Sequence, residues 1–221
     1  ESNMKNSSVL GMVGAGGIGV GAKGGNVLAN KTTVIQVNGL EGIGAYVNGG
    51  RISPNFDIKV KGTKGRGVYA TGAVGSLAKV TEISGNSSIG YVLQDVTNHI
   101  NITSKVQLTD TTATGQVGVV AQGSGAGLTL AGISVVGNNN TGIYSSTGKE
   151  VVNNGTLTIG DSTTKSSIGI YSKGGTVTNN ADATIGKNAI GIYGEKTSVT
   201  SKNLNIAEKG VGIFLKNTAT S

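Results

Sequence analysis

The sequence predicts an all-β chain: a right-handed parallel β-helix of about nine coils, 21–28 residues each, with three short strands per coil. Three observations predict it. A glycine-centred phrase recurs nine times; the side chains around it fall into columns; and the composition suits short strands and tight corners.

The composition bounds what the chain can be. Of 221 residues 39 are Gly, with one Pro and no Trp or Cys. Aromatics make up only 4%, yet hydrophobic residues reach 36%, mostly Val, Ile, Leu and Ala, which is too many for a disordered linker. Without cysteine there is neither a disulfide nor thiol chemistry. The net charge is +7, from 18 Lys and Arg against 11 Asp and Glu. The basic residues are scattered rather than bunched, so a nucleic-acid partner is not expected. No run of 18 apolar residues exists to cross a membrane as a helix.

The repeat is carried by GIGVGAK (17–23), GIGAYVN (42–48), GRGVYAT (65–71), SIGYVLQ (88–94), QVGVVAQ (116–122), NTGIYSS (140–146), SIGIYSK (167–173), AIGIYGE (189–195) and GVGIFLK (210–216). Its central glycines are Gly19, Gly44, Gly67, Gly90, Gly118, Gly142, Gly169, Gly191 and Gly212, at intervals of 25, 23, 23, 28, 24, 27, 22 and 21 residues. Gly14, Gly16 and Gly19 also spell G-x-G-x-x-G. That phrase binds a pyrophosphate only when it opens a helix, and the glycines that follow argue against one.

Strand alternation then assigns faces. One residue after each glycine stand Val20, Ala45, Val68, Tyr91, Val119, Ile143, Ile170, Ile192 and Ile213, expected inside. Alternation places the residues before the glycine inside as well: Ile18, Ile43, Arg66, Ile89, Val117, Thr141, Ile168, Ile190 and Val211. It places the glycines outside, followed two residues on by Gly21, Tyr46, Tyr69, Val92, Val120, Tyr144, Tyr171, Tyr193 and Phe214. The next outward row, from Lys23 to Lys173, Glu195 and Lys216, is polar in all nine copies. Rings stacked over outward glycines would shield their backbone.

Two further strands are expected per coil, as in Thr176–Thr178 and Ala183–Ile185, with Asn153-Asn154 and Asn179-Asn180 at corners where aligned carboxamides form ladders. The two longest units, Gly90–Gly118 and Gly142–Gly169, should shed their surplus as loops at Asp95–His99 and Asp161–Ser166.

No catalytic, cofactor-binding or metal-binding residues are assigned, and no enzyme activity is expected. The acids are spread along the chain, and Asp161 with Asp182 is the best loose pair for a polysaccharide lyase or hydrolase, the alternative reading. His99 is the lone histidine and cannot build a zinc site without cysteine. The candidate ligand-binding residues are Tyr144, Tyr171, Tyr193 and Phe214, with Lys173 and Lys216 beside them; rigid amphipathic rings suit binding by stacking, and lysines add salt-sensitive attraction.

The GIYSK and GIYGE units, with VVNNGTLTIG (151–160) and ATIGKNAIGIYG (183–194), resemble the passenger domains of large type Va autotransporters, most like the fusobacterial outer-membrane adhesins. The resemblance covers nearly the whole chain. It implies a single β-helix segment, residues 1–221, cut from a longer passenger, with no signal peptide or translocator barrel of its own. It also implies a monomer at the bacterial surface, anchored to the outer membrane only through a C-terminal barrel elsewhere in the full-length protein. The implied partners are surface proteins or glycans of other bacteria or host cells. A trimeric autotransporter head is a second alternative, but its repeats run nearer 14 residues.

Overall fold

The computed structural model describes residues 2–4, 10–125 and 127–217. They form a β-solenoid of about nine turns, all pairings parallel, with no helix among the described residues. The first face is the sheet of repeat strands: Ile18–Ala29, Ile43–Ile52, Arg66–Val74, Ile89–Val96, Val117–Gln122, Thr141–Ser145, Ile168–Lys173, Ile190–Glu195 and Val211–Lys216. Ser2–Met4 pairs with the far end of the first of these, at Val27–Ala29. The third face runs from Leu10–Val13 to Lys79–Ile83 and continues from Val106–Gln107 to Leu204–Ile206. A bridge between Ile83 and Leu108 links the two runs.

The second face is built in two ways. From Ile100–Ile102 to Ser198–Ser201 it is a separate five-stranded sheet, which completes the three strands per coil read from the sequence. In the first three coils the repeat strand bends round the corner instead of breaking, at Gly24, Gly49-Gly50 and Gly72, all with positive φ. Glycine adopts that conformation without a Cβ clash, so the hydrogen-bonded ladder passes through the bend.

The register is the one the repeat predicts. Val119 pairs with Ile143, Ile143 with Ile170, Ile170 with Ile192 and Ile192 with Ile213. Ala45, Val68, Val119, Ile143, Ile170 and Ile192 are fully shielded from solvent, packed against second- and third-face residues such as Leu128, Val151, Ile133 and Leu157. No coil buries these side chains by itself; the stack makes the core continuous. The asparagine ladders are present: buried Asn153 Nδ2 donates to Asn179 Oδ1 (2.7 Å), and exposed Asn180 Nδ2 donates to Asn154 Oδ1 (2.9 Å).

Strict alternation fails at the repeat glycine, and two expectations are corrected. The glycines do not face outward. A Cβ on Gly142 would lie 2.5 Å from the Gly169 carbonyl oxygen and 2.5 Å from Ile133 Cγ2 in the core; one on Gly169 would meet the Gly191 carbonyl oxygen at 2.6 Å and Ile159 Cδ1 at 2.9 Å. Glycine and its successor therefore both point inward. The glycine itself is skipped in the Cα register, where Thr141 pairs with Ile168 and Ile143 with Ile170. The residues before the glycine are consequently turned out of the core: Ile43, Arg66, Ile89, Val117, Thr141, Ile168 and Ile190 are half-buried, and Ile18 and Val211 are exposed. The glycines are required by close approach of successive coils, not by a need to be shielded from outside.

One loop expectation holds and the other moves. Residues 160–167 leave the coil as predicted. Asp95 and Val96, however, still belong to the strand Ile89–Val96, and 97–99 make an ordinary corner. The surplus of that unit leaves between Leu108 and Gln116 instead. Ten positions separate Leu108 from Gly118 and Ile159 from Gly169, against six or seven at the same corner elsewhere. Both enlarged corners lie between the third and first faces. The coil between them supplies Asn138, whose Oδ1 accepts the backbone N–H groups of Thr163 (2.6 Å) and Thr164 (3.1 Å).

Candidate functional site

Two residues past each glycine the side chain points out again, and there the aromatic residues align. Tyr144 and Tyr171 stack with centroids 5.0 Å apart and planes 3° from parallel; Tyr171 and Tyr193 follow at 5.2 Å, and Tyr193 and Phe214 at 5.0 Å. That repeat is the strand spacing itself, so the sheet sets the stack. A shorter copy, Tyr46 on Tyr69 at 5.9 Å, lies in the early coils, with Val92 and Val120 between the two groups. Tyr91 sits one position earlier and is buried, its hydroxyl accepting the Val80 N–H (2.8 Å) and donating to the Ala78 carbonyl (3.3 Å).

The structure brings all six predicted site residues onto one face. Lys173, Glu195 and Lys216 are in register with one another, two residues beyond Tyr171, Tyr193 and Phe214. Lys216 Nζ lies 3.9 Å from Glu195 Oε1. The stacking expectation changes in one respect. Tyr171 and Tyr193 have both ring faces covered by neighbouring rings, and Tyr144 has one covered by Tyr171. An incoming group therefore meets ring edges and hydroxyls along the column; Phe214, stacked on Tyr193, is 45% exposed among the described residues. Partial burial in the stack, and next the adjacent Glu195 carboxylate, push the Tyr171 phenol up to about 12. It stays protonated, and so a hydrogen-bond donor, throughout the physiological range.

Sequence reasoning missed Glu195 and Lys196 as parts of this site. Lys196 turns the corner with φ 50°, and it lines with Lys173, Glu195 and Lys216 a cleft of about 210 Å³ beside the column. The polar row at the fourth position after the glycine was the available signal for Glu195. Lys196 lies one residue beyond that row, and only the corner's left-handed turn brings it in.

Neither the family models nor the curated proteins and solved structures compared with this chain include a match.

The other candidates from the sequence lie outside this cleft. Asp161 and Asp182 lie at opposite ends of the third-face strands. Asp161 Oδ1 accepts the Lys187 N–H (2.7 Å), and Asp182 Oδ1 accepts from Asn203 Nδ2 (3.1 Å). His99 is exposed at a corner, 2.8 Å from Thr129 Oγ1 and 3.5 Å from Glu150. No group of three or more His, Cys, Asp or Glu residues that could hold a metal ion exists among the described residues. The turn Gly14–Gly17 leads into the strand Ile18–Ala29 rather than a helix, which removes the helix N-terminus a dinucleotide would need.

Proposed function

We propose that this chain is a passenger segment of a type Va autotransporter adhesin, held at the bacterial surface and attaching its cell to other bacteria or to host cells. The four-ring column flanked by lysines carries the reading. A solenoid core holds the column rigid, so little conformational freedom is lost when a ligand docks. Tyrosine edges and hydroxyls give an amphipathic strip suited to surface proteins or glycans. The resemblance of the GIY and NNGTLTIG units to the fusobacterial adhesins supplies the cellular setting: extracellular, with the outer-membrane anchor elsewhere in the full-length protein.

The test is capture of partner cells by the immobilised chain. Replacing Tyr144, Tyr171 and Tyr193 together by Ser should lower capture by roughly tenfold or more, as loss of clustered aromatic anchors does at other interfaces. The β-type circular dichroism should persist, because the rings lie outside the core. Undiminished capture by the triple variant would reduce the column to a structural ladder and remove the support for binding there.

A further inference from the structure

We infer that the cleft formed by Lys173, Glu195, Lys196 and Lys216 binds a carboxylated or sulfated saccharide, an inference that rests on the adhesin reading and names its ligand class. Three ammonium groups surround one carboxylate. Lys216 is loosely paired with Glu195 at 3.9 Å, while Lys173 and Lys196 have no acidic partner within 4.0 Å among the described residues. The cleft thus has a net positive charge and two ammonium groups whose donors are free for an anion. Charge-assisted bonds to carboxylate or sulfate oxygens are the strongest such a surface can make.

Size and surroundings favour a sugar over an acidic protein segment. At about 210 Å³ the cleft takes one small residue-sized group. A stable protein interface needs on the order of 1,200 Å² with an apolar centre. Here the neighbouring outward row is polar, with Ser146, Lys173, Glu195 and Lys216, and most ring faces are already stacked on each other. Glu195 has a role a purely basic patch would lack: its carboxylate accepts hydrogen bonds from sugar hydroxyls, while the Tyr171 phenol beside it remains a donor.

Affinity of the purified chain for a heparin-derived tetrasaccharide, measured by calorimetry at low and moderate salt, tests the inference. Maltotetraose serves as the neutral control and a tetraglutamate peptide as the acidic-peptide control. The variant K173Q/K196Q should bind the sulfated probe at least about tenfold more weakly, having lost two charge-assisted contacts. K23Q/K31Q removes the same charge six coils away, roughly 29 Å at the strand spacing and beyond a Debye length, and should change affinity by less than about twofold.

Equal weakening by both pairs would overturn the cleft in favour of diffuse attraction to a basic chain. Equal binding of maltotetraose would overturn the anionic requirement, and tighter binding of tetraglutamate would overturn the saccharide. The charge-reversal variant K173E/K196E should abolish binding outright, with circular dichroism checking its fold. Wild-type binding of the probe without capture of any cell would sink the adhesin reading and leave the cleft standing. Capture without probe binding would do the reverse.

Discussion

Replacing Gly142 by alanine adds one methyl group to the middle of the glycine column, and the sign of its effect depends on which way the glycine faces. Gly142 has no positive φ, so its backbone suits any residue. If it faced solvent, alanine would stabilise the chain by about 0.4–1 kcal/mol, by restricting the unfolded state. In the structure the new Cβ sits 2.5 Å from the Gly169 carbonyl oxygen, 2.5 Å from Ile133 Cγ2 and 3.0 Å from Val135 Cγ2. The isoleucine methyl can rotate away, but the carbonyl belongs to the next coil's backbone and is held in the ladder. Relief requires the two coils to separate by several tenths of an ångström, against a strand spacing of about 4.8 Å. Overpacking of this kind costs about 1–3 kcal/mol. At about 2–4 °C per kcal/mol for a chain of this size, Gly142→Ala should melt several degrees below wild type. Solenoids can open locally rather than all at once, so hydrogen exchange should place the loss at the strands Thr141–Ser145 and Ile168–Lys173. Gly14→Ala is the control, because a Cβ there meets nothing within 4 Å. A Gly142→Ala protein as stable as that control, or more stable than wild type, would refute the inward glycine column.

Ile170→Asp buries an unpaired carboxyl in a fully shielded position and should cost more than about 4 kcal/mol by thermal or urea unfolding. Ile168→Asp, two residues earlier and half-buried, should be much milder, and equal losses would contradict the change of direction at Gly169. Gly21 is in register with Tyr46 and its Cβ direction is open, so Gly21→Tyr should extend the Tyr46–Tyr69 stack and stabilise by about 0.5–1.5 kcal/mol; a lowered melting temperature would refute this. The folded Tyr171 pKa, about 12, lies above the ordinary 10.0, so its contribution to stability is complete below pH 10 and is lost as pH rises through 12. Glu195→Gln removes one of the charges that raise it and should move the Tyr171 step of the ultraviolet phenolate titration, identified by its loss in Tyr171→Phe, to lower pH; an unmoved step would show that Glu195 does not act on Tyr171.

The amino-acid sequence by itself determined the solenoid. The nine glycine phrases set the coil length, and the column from Ala45 to Ile213 set the register, because a parallel stack repeats every side chain's neighbourhood from one coil to the next. For the same reason the outward ring column and the asparagine ladders were legible without coordinates. What only the tertiary structure decided is where that regularity breaks. Alternation assumes a straight strand, whereas the chain turns at each repeat glycine, so that Gly142 and Ile143 face the same way. Arg66 and Thr141, polar residues at positions assigned to the core, were the trace of this in the sequence. The displaced loop at Leu108–Gln116 could not be located until Leu108 was known to stack on Ile83. The binding face follows the same division. Spacing placed Tyr171 beside Lys173, but whether a ring face is free depends on its distance from the next coil's ring, and Lys196 joins the cleft only through a left-handed corner. Contacts between coils come from how successive turns settle against each other, and a one-dimensional pattern contains no measure of that distance.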